Sequence, residues 1–249
     1  MHVWVKVCGL VRPQDALEAV RAGADAVGLI LTPRSPRAVS PDQARALAYL
    51  ARAEAAALGR KVRVVGVFSG EDGGMILTLA RLAGVDTVQL HGGEPEPVRL
   101  HLEAAGFRTV RTLWPSGSRP GEPGDAGAGA GLLDFAARPL PWAVLLDSRS
   151  GASADGTGAS AKALVGGTGV RLAQPVASQW AAWLRARQLR VILAGGLRPA
   201  NVQAALSSIR PWGVDVSSGV EEPGRPGVKE PQAIRAFVQA VREWEVRDG

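Results

Sequence analysis

Two hydrophobic periods alternate along the chain. Short runs of valine, leucine and isoleucine are separated by longer segments of alanine, leucine and arginine in which apolar residues return every three or four positions. The short runs read as strands at Val3–Val7, Ala26–Leu31, Arg63–Phe68, Asp86–Leu90, Arg108–Leu113, Ala143–Asp147, Arg190–Ala194 and Gly213–Ser217. The segments between them read as helices. Pro13 suits the first turn of one, because its locked φ is already helical, and Gly23 suits its left-handed end. Ser40-Pro41-Asp42-Gln43 sets up the next, with an N-cap hydroxyl and a glutamine placed to return the bond. Leu47, Leu50 and Leu58, with intervening alanines, then form an apolar stripe. Regular strand–helix alternation implies parallel strands joined by right-handed crossovers. Eight such units predict an α/β protein, a single (β/α)8 barrel over residues 1–249, with an open doubly wound sheet as the alternative.

Two stretches interrupt the rhythm. Residues 116–131 and 148–160 are rich in Gly, Pro, Ser and Ala. They follow the fifth and sixth strands, so lengthened loops are expected there, on the C-terminal face where barrel active sites form.

Composition narrows the function classes. An apolar fraction of 46% in 249 residues is ample for a core, and no run approaches the ~20 uncharged apolar residues of a membrane span. The N-terminus, Met1 to Lys6, lacks the basic-then-apolar pattern of a signal peptide, so a cytoplasmic protein with no membrane partner is expected. One cysteine cannot make an intrachain disulfide, and with three histidines it argues against a zinc site. The net charge of +6 raises a nucleic-acid partner. Arginine is spread over predicted helix faces, however (Arg45, Arg52, Arg81, Arg185, Arg187, Arg242), with no basic block interleaved with aromatics. Solvated arginine and no nucleic acid is the expectation, although a basic protein still attracts a multiply anionic small molecule. The sequence leaves the oligomeric state open, a homodimer included.

The candidate chemistry sits where strands end. On the first strand, period-two alternation puts Trp4, Lys6 and Cys8 on one face, opposite Val3, Val5 and Val7. A lysine two residues before the cysteine would favour the thiolate, the basic form of sulfur; a small buried hydrophobe is the alternative role for Cys8. Asp147 closes an apolar strand, where a carboxylate is costly unless it is paired or faces a site. A thiol and a carboxyl group across one cavity would make an acid/base pair. After the seventh strand comes Gly195-Gly196, and after the eighth Ser217-Ser218-Gly219. Glycines in these two positions let backbone N–H groups approach a phosphate. Gly166-Gly167-Thr168-Gly169 is another such loop. Arg37, in Ser35-Pro36-Arg37, offers a planar fork for a carboxylate or an ordinary turn arginine. His91 is a hydrogen-bonding wall or a strand cap. Asp215, inward beside Ser217 on the eighth strand, is the weakest of the set.

Taken in order, these segments resemble the phosphoribosylanthranilate isomerase family. The resemblance rests on Lys6-Val7-Cys8-Gly9, Ser35-Pro36-Arg37, Val65-Gly66-Val67-Phe68, Val88-Gln89-Leu90-His91-Gly92, Leu145-Leu146-Asp147 and Gly166-Gly167-Thr168-Gly169. It continues through Gly195-Gly196-Leu197-Arg198-Pro199-Ala200-Asn201-Val202, the run from Val214 to Glu221, and Pro226-Gly227-Val228-Lys229-Glu230. It implies an Amadori rearrangement of N-(5′-phosphoribosyl)anthranilate in tryptophan biosynthesis, with no metal and no cofactor. By matching position, Asp147 would be the general acid and Cys8 the general base. Arg37 would hold the anthranilate carboxylate. The loops at Gly195, Gly196, Ser218 and Gly219 would hold the phosphate, with His91, Gly167, Asp215 and Ser217 as further substrate contacts. The chain departs from the family pattern after Gly169, where Leu172-Ala173-Gln174 replaces a Phe-Asp-Trp segment, and in its two lengthened loops. A histidine-pathway aminoaldose isomerase, the nearest rival, would be expected to carry an aspartate where Cys8 stands. A barrel that only binds phosphorylated ligands is the rival from another class.

Overall fold

The computed structural model describes residues 2–115, 139–147 and 173–248. The strands are β1 (Trp4–Cys8), β2 (Ala26–Ile30), β3 (Arg63–Phe68), β4 (Thr87–Leu90), β5 (Arg108–Leu113), β6 (Ala143–Leu146), β7 (Val191–Leu193) and β8 (Gly213–Val216). Each pairs in parallel with the next, and β8 returns to β1 with Asp215 opposite Lys6, so the sheet closes and the open-sheet alternative falls. Among the described residues the helices are α1 (Pro13–Ala22), α2 (Pro41–Ala57), α3 (Gly73–Ala83), α4 (Glu96–Ala104), α5 (Gln174–Arg185), α6 (Val202–Ile209) and α7 (Pro231–Asp248). The interrupting stretches 116–131 and 148–160 lie outside the described residues, as do Gly167 and the segment from Gly166 to Leu172.

Local signals placed the elements where expected. Gly23 ends α1 at φ 103°, and its N–H bonds back to Val20. Ser40 Oγ accepts from Gln43 N at 3.2 Å while Ser40 N donates to Gln43 Oε1 at 2.9 Å, completing the box at the start of α2. The buried stripe of that helix is Ala44, Leu47, Ala48, Ala51 and Ala55, whereas Leu58 caps the helix and is exposed. Alanine at the contact lets the helix lie close to the sheet.

Alternation decides which side of the barrel wall each residue faces. Val3, Val5 and Val7 pack into the layer between sheet and helices, with Val27, Leu29, Val64 and Phe68. Trp4 points inward with Ala26, Val65, Val110, Leu145 and Ile192. Trp4, Trp142 and Trp212 plug the N-terminal end, with ring centroids 5.3–5.6 Å apart. Gly213 leaves room for this, since a Cβ there would sit 2.8 Å from the Trp4 carbonyl oxygen. Cys8, Ile30 and Val67 form the uppermost inward layer. Among the described residues the lumen is therefore a filled core, with Lys6, Gln89 and Asp215 inward toward the C-terminal mouth.

The expectation of solvated arginine needs correction. Arg45, Arg81, Arg185 and Arg187 are exposed, but Arg52 and Arg242 are half-buried ties, to Asp86 and Asp25 respectively. Arg99 of α4 and Arg111 of β5 are fully buried. Arg99 meets Glu103 at 2.8 Å and Arg111 meets Glu96 at 3.2 Å. Their charge is neutralised inside the molecule, so it does not make a basic surface.

Candidate active site

The sequence candidates converge on one cavity at the C-terminal mouth, of about 560 Å³ including its opening. Cys8, Arg37, His91, Asp147, Gly195 and Gly196 line it, as do Asp215, Ser217, Ser218 and Gly219. Gly167 lies outside the described residues. The lining also contains Gln89, which sequence reasoning did not select although it is inward on β4 by simple alternation.

Cys8 closes β1, almost buried against Ile30 and Val67. Burial pushes its thiol up, Lys6 opposes this, and the Asp215 charge pushes the same way as burial. The net result is a thiol held above its ordinary value. Lys6 favours the thiolate, as the sequence led one to expect, but desolvation outweighs it.

Asp147 follows β6 directly, its N–H bonding Leu113 O at 3.0 Å. Its Oδ2 lies 3.6 Å from His91 Nε2. His91 Nδ1 is 3.1 Å from Gln89 Nε2 and 3.0 Å from Thr112 Oγ1. With the amide and hydroxyl donating to Nδ1, the ring proton sits on Nε2 and faces the carboxyl of Asp147. Burial pushes His91 down from 6.5 to about 4, with the Lys6 charge a smaller cause, so the ring is neutral near pH 7. The unfolded chain takes up this proton below pH 6.5 and the folded chain does not until about pH 4. Stability is therefore lost as pH falls through that window, by up to about 3 kcal/mol. Urea unfolding across the window should show the slope, and His91→Gln should flatten it.

Arg37 reaches the cavity from the loop after β2. Its Nε and Nη2 donate to the two oxygens of Glu221, at 2.7 and 2.8 Å. The fork is thus already engaged, and Nη1 is the nitrogen without a bond to any described residue. Glu221 also accepts from Lys229 Nζ at 2.8 Å and from Gly227 N at 3.0 Å. Burial pushes the Glu221 carboxyl up, but Arg37 and Lys229 outweigh it and hold it at about 2. Lys229, fully buried, also donates to Ser217 O at 3.1 Å. Glu221 and Lys229 were missed as functional groups because their partners lie far off in sequence or at the other end of a loop.

The two glycine loops form a cradle. Gly195 and Gly196 take φ of 84° and 63°, values that side chains rarely adopt. Asn201 locks this loop, accepting from Arg198 N at 2.8 Å and donating to Gly196 O at 3.0 Å. A Cβ on Gly219 would lie 1.8 Å from Leu197 O, so only glycine lets the two loops touch. The N–H groups of Gly196 and Gly219 have no acceptor among the described residues, which leaves them for an oxyanion.

A closed parallel barrel with a thiol, a carboxyl group and a glycine-lined anion cradle at one mouth defines a barrel protein built for small phosphorylated ligands. The comparisons narrow this class. The family model described as N-(5′-phosphoribosyl)anthranilate (PRA) isomerase matches residues 5–240, and the chain belongs to that family. The N-(5′-phosphoribosyl)anthranilate isomerase of Roseiflexus sp. (strain RS-1) is 37% identical over 248 residues, covering 96% of this chain and 97% of the relative. The crystal structure of phosphoribosyl anthranilate isomerase from Thermus thermophilus superposes with TM-score 0.73 at 32% identity, covering 97% and 99% of the two chains. A phosphoribosyl anthranilate isomerase solved in complex with reduced 1-(o-carboxyphenylamino)-1-deoxyribulose 5-phosphate matches with TM-score 0.69 at 30% identity, covering 97% and 100%.

Proposed function

We propose that this chain isomerises N-(5′-phosphoribosyl)anthranilate to 1-(2-carboxyphenylamino)-1-deoxyribulose 5-phosphate in tryptophan biosynthesis. The observation that carries the reading is the meeting of Cys8, Asp147, Arg37 and both glycine loops in one cavity. The cradle of Gly195, Gly196, Ser218 and Gly219 takes the phosphate, and the Nη1 edge of Arg37, which bonds no described residue, takes the anthranilate carboxylate. Between those anchors the sugar lies across the mouth with C1′ and C2′ between sulfur and carboxyl, which removes the entropic cost of bringing acid and base together. Asp147 gives a proton to the ring oxygen as the C1′–O bond breaks and the nitrogen lone pair forms the iminium. Cys8 then removes the C2′ proton, and the electrons of that C–H bond make the C1′=C2′ double bond of an enolamine. Loss of the 2′-hydroxyl proton and protonation at C1′ give the ketone. Side chains of the chain itself move the protons, so turnover is expected to need neither metal nor cofactor. The chain works in this reading as one barrel domain in the cytoplasm, on a small phosphorylated partner rather than on nucleic acid or a membrane.

Purified protein in EDTA should consume phosphoribosylanthranilate, followed by the loss of substrate fluorescence. An absence of turnover with fresh substrate at pH 7 to 8 would remove this reading.

A further inference from the structure

Lys6 is wholly buried one pleat below Cys8, on the same inward face of β1. β2 supplies the room. A Cβ on Gly28 would lie 2.7 Å from Cys8 Sγ and 2.9 Å from Lys6 Cε, so both side chains lean into the space that the glycine leaves. Lys6 Nζ donates to Asp215 Oδ2 at 2.8 Å, and the β1–β8 register sets the two residues opposite one another. The second oxygen, Asp215 Oδ1, is buried with no partner among the described residues. A cation is therefore clamped by one carboxylate oxygen at the cavity floor, close to the only sulfur of a cysteine in the chain.

We propose that Lys6, anchored by Asp215, is a positioning residue that controls whether the Cys8 sulfur is present as thiol or thiolate. Its catalytic consequence rests on the reading of Cys8 as the base. The other charges facing the sulfur are few. Lys229, beyond β8, and Arg37, beyond β2, also interact favourably with the thiolate, whereas Asp215 opposes it. His91, neutral near pH 7, and Asp147 stand elsewhere on the lining. Of the groups that favour the thiolate, Lys6 acts most strongly, and its effect exceeds the opposition from Asp215. After Cys8 takes the C2′ proton, its S–H must release that proton before the next turnover. A fixed cation beside the sulfur favours that release, and a floor closed to water keeps the interaction from being screened.

Because Cys8 is the only cysteine, the ultraviolet absorbance of the thiolate reports this group when the protein is titrated, once the same titration of Cys8→Ala is subtracted to remove the Tyr49 phenolate. Lys6→Met should lower the thiolate fraction at fixed pH by about tenfold or more. Asp215→Asn should raise it, since the ammonium loses its competing partner. The double variant Lys6→Met/Asp215→Leu leaves neither charge buried alone, which protects the fold; its thiolate fraction should fall between wild type and Lys6→Met. Movement of both single variants in the same direction, or a double variant that titrates like wild type, would overturn the proposal. The acid limb of the isomerase pH profile separates this from the function reading. If the sulfur titration moves while that limb stays fixed, Lys6 controls Cys8 but Cys8 is not the base.

Discussion

Cys8→Ala and Asp147→Asn are each expected to lower kcat by about 10²–10⁴-fold, the usual contribution of a positioned acid or base, with the barrel intact. Both changes are mild for the fold. Cys8 contributes one sulfur to a small apolar layer with Ile30 and Val67, and alanine keeps that layer apolar. Asn at 147 keeps the side-chain shape and the backbone bond to Leu113 O, but an amide cannot give a proton to the ring oxygen. The phosphate cradle and Arg37 are untouched, so KM should change far less than kcat. Steady-state rates from substrate fluorescence, with a thermal melt of each variant, check both halves. Full rates in both variants would mean that the thiol and the carboxyl group share a cavity without sharing the chemistry.

Glu221→Gln should give the largest combined effect on stability and binding. Glu221 joins Arg37, Lys229 and the Gly227 N–H. Its removal leaves two buried cations facing each other without a carboxylate, a loss of about 3–5 kcal/mol. Arg37 also loses the clamp that fixes its guanidinium at the cavity wall, so KM should rise through the carboxylate end of the substrate. The pH dependence follows from the direction of the shift. The folded carboxyl sits at about 2, below its usual 4.5. Its contribution is thus fully present above pH 4.5 and disappears as pH falls toward 2. Wild type should lose this increment over that range, and Glu221→Gln should show a shallower slope there. Denaturant midpoints measured from neutral to acid pH, alongside KM, test the claim. An unchanged midpoint at neutral pH with unchanged KM would show that Arg37 and Lys229 do not need the carboxylate.

Much of the architecture is legible in the sequence, because the signals are local. Strand limits differ from the sequence reading by one residue at most. The capping box at Ser40 and the glycine stop at Gly23 need only neighbours within a turn. The inward face of β1 was legible for the same reason: alternation is a property of a single strand. Leu58 was misplaced because helix periodicity was extended past the residue that ends α2. Arg52 and Arg242 were misjudged as solvated, and Arg99 and Arg111 went unnoticed, because a solvated arginine and a buried one look alike without their partners. Arg99 is neutralised by Glu96 and Glu103 on its own helix, and Arg111 of β5 is neutralised by Glu96 of α4.

The candidate site divides along the same line. Residue types at strand ends placed Cys8, Asp147 and the glycine loops at one rim, since every strand of a parallel barrel ends on the same side. The protonation state of Cys8 could not be read that way. It depends on Asp215 sharing Lys6 from across the sheet, on the gap at Gly28, and on how much water burial removes. The engaged fork of Arg37 was equally hidden, because its partner Glu221 lies 184 positions along the chain.

The order of the described strands, their limits to within a residue and the inward or outward sense of their side chains are thus written in the chain itself, since φ/ψ preference and periodicity act within a few residues. Tertiary structure alone decided which charges neutralise one another and which groups lose their water. Both depend on distances between strands and loops far apart in sequence, and on a dielectric that exists only once the barrel has closed.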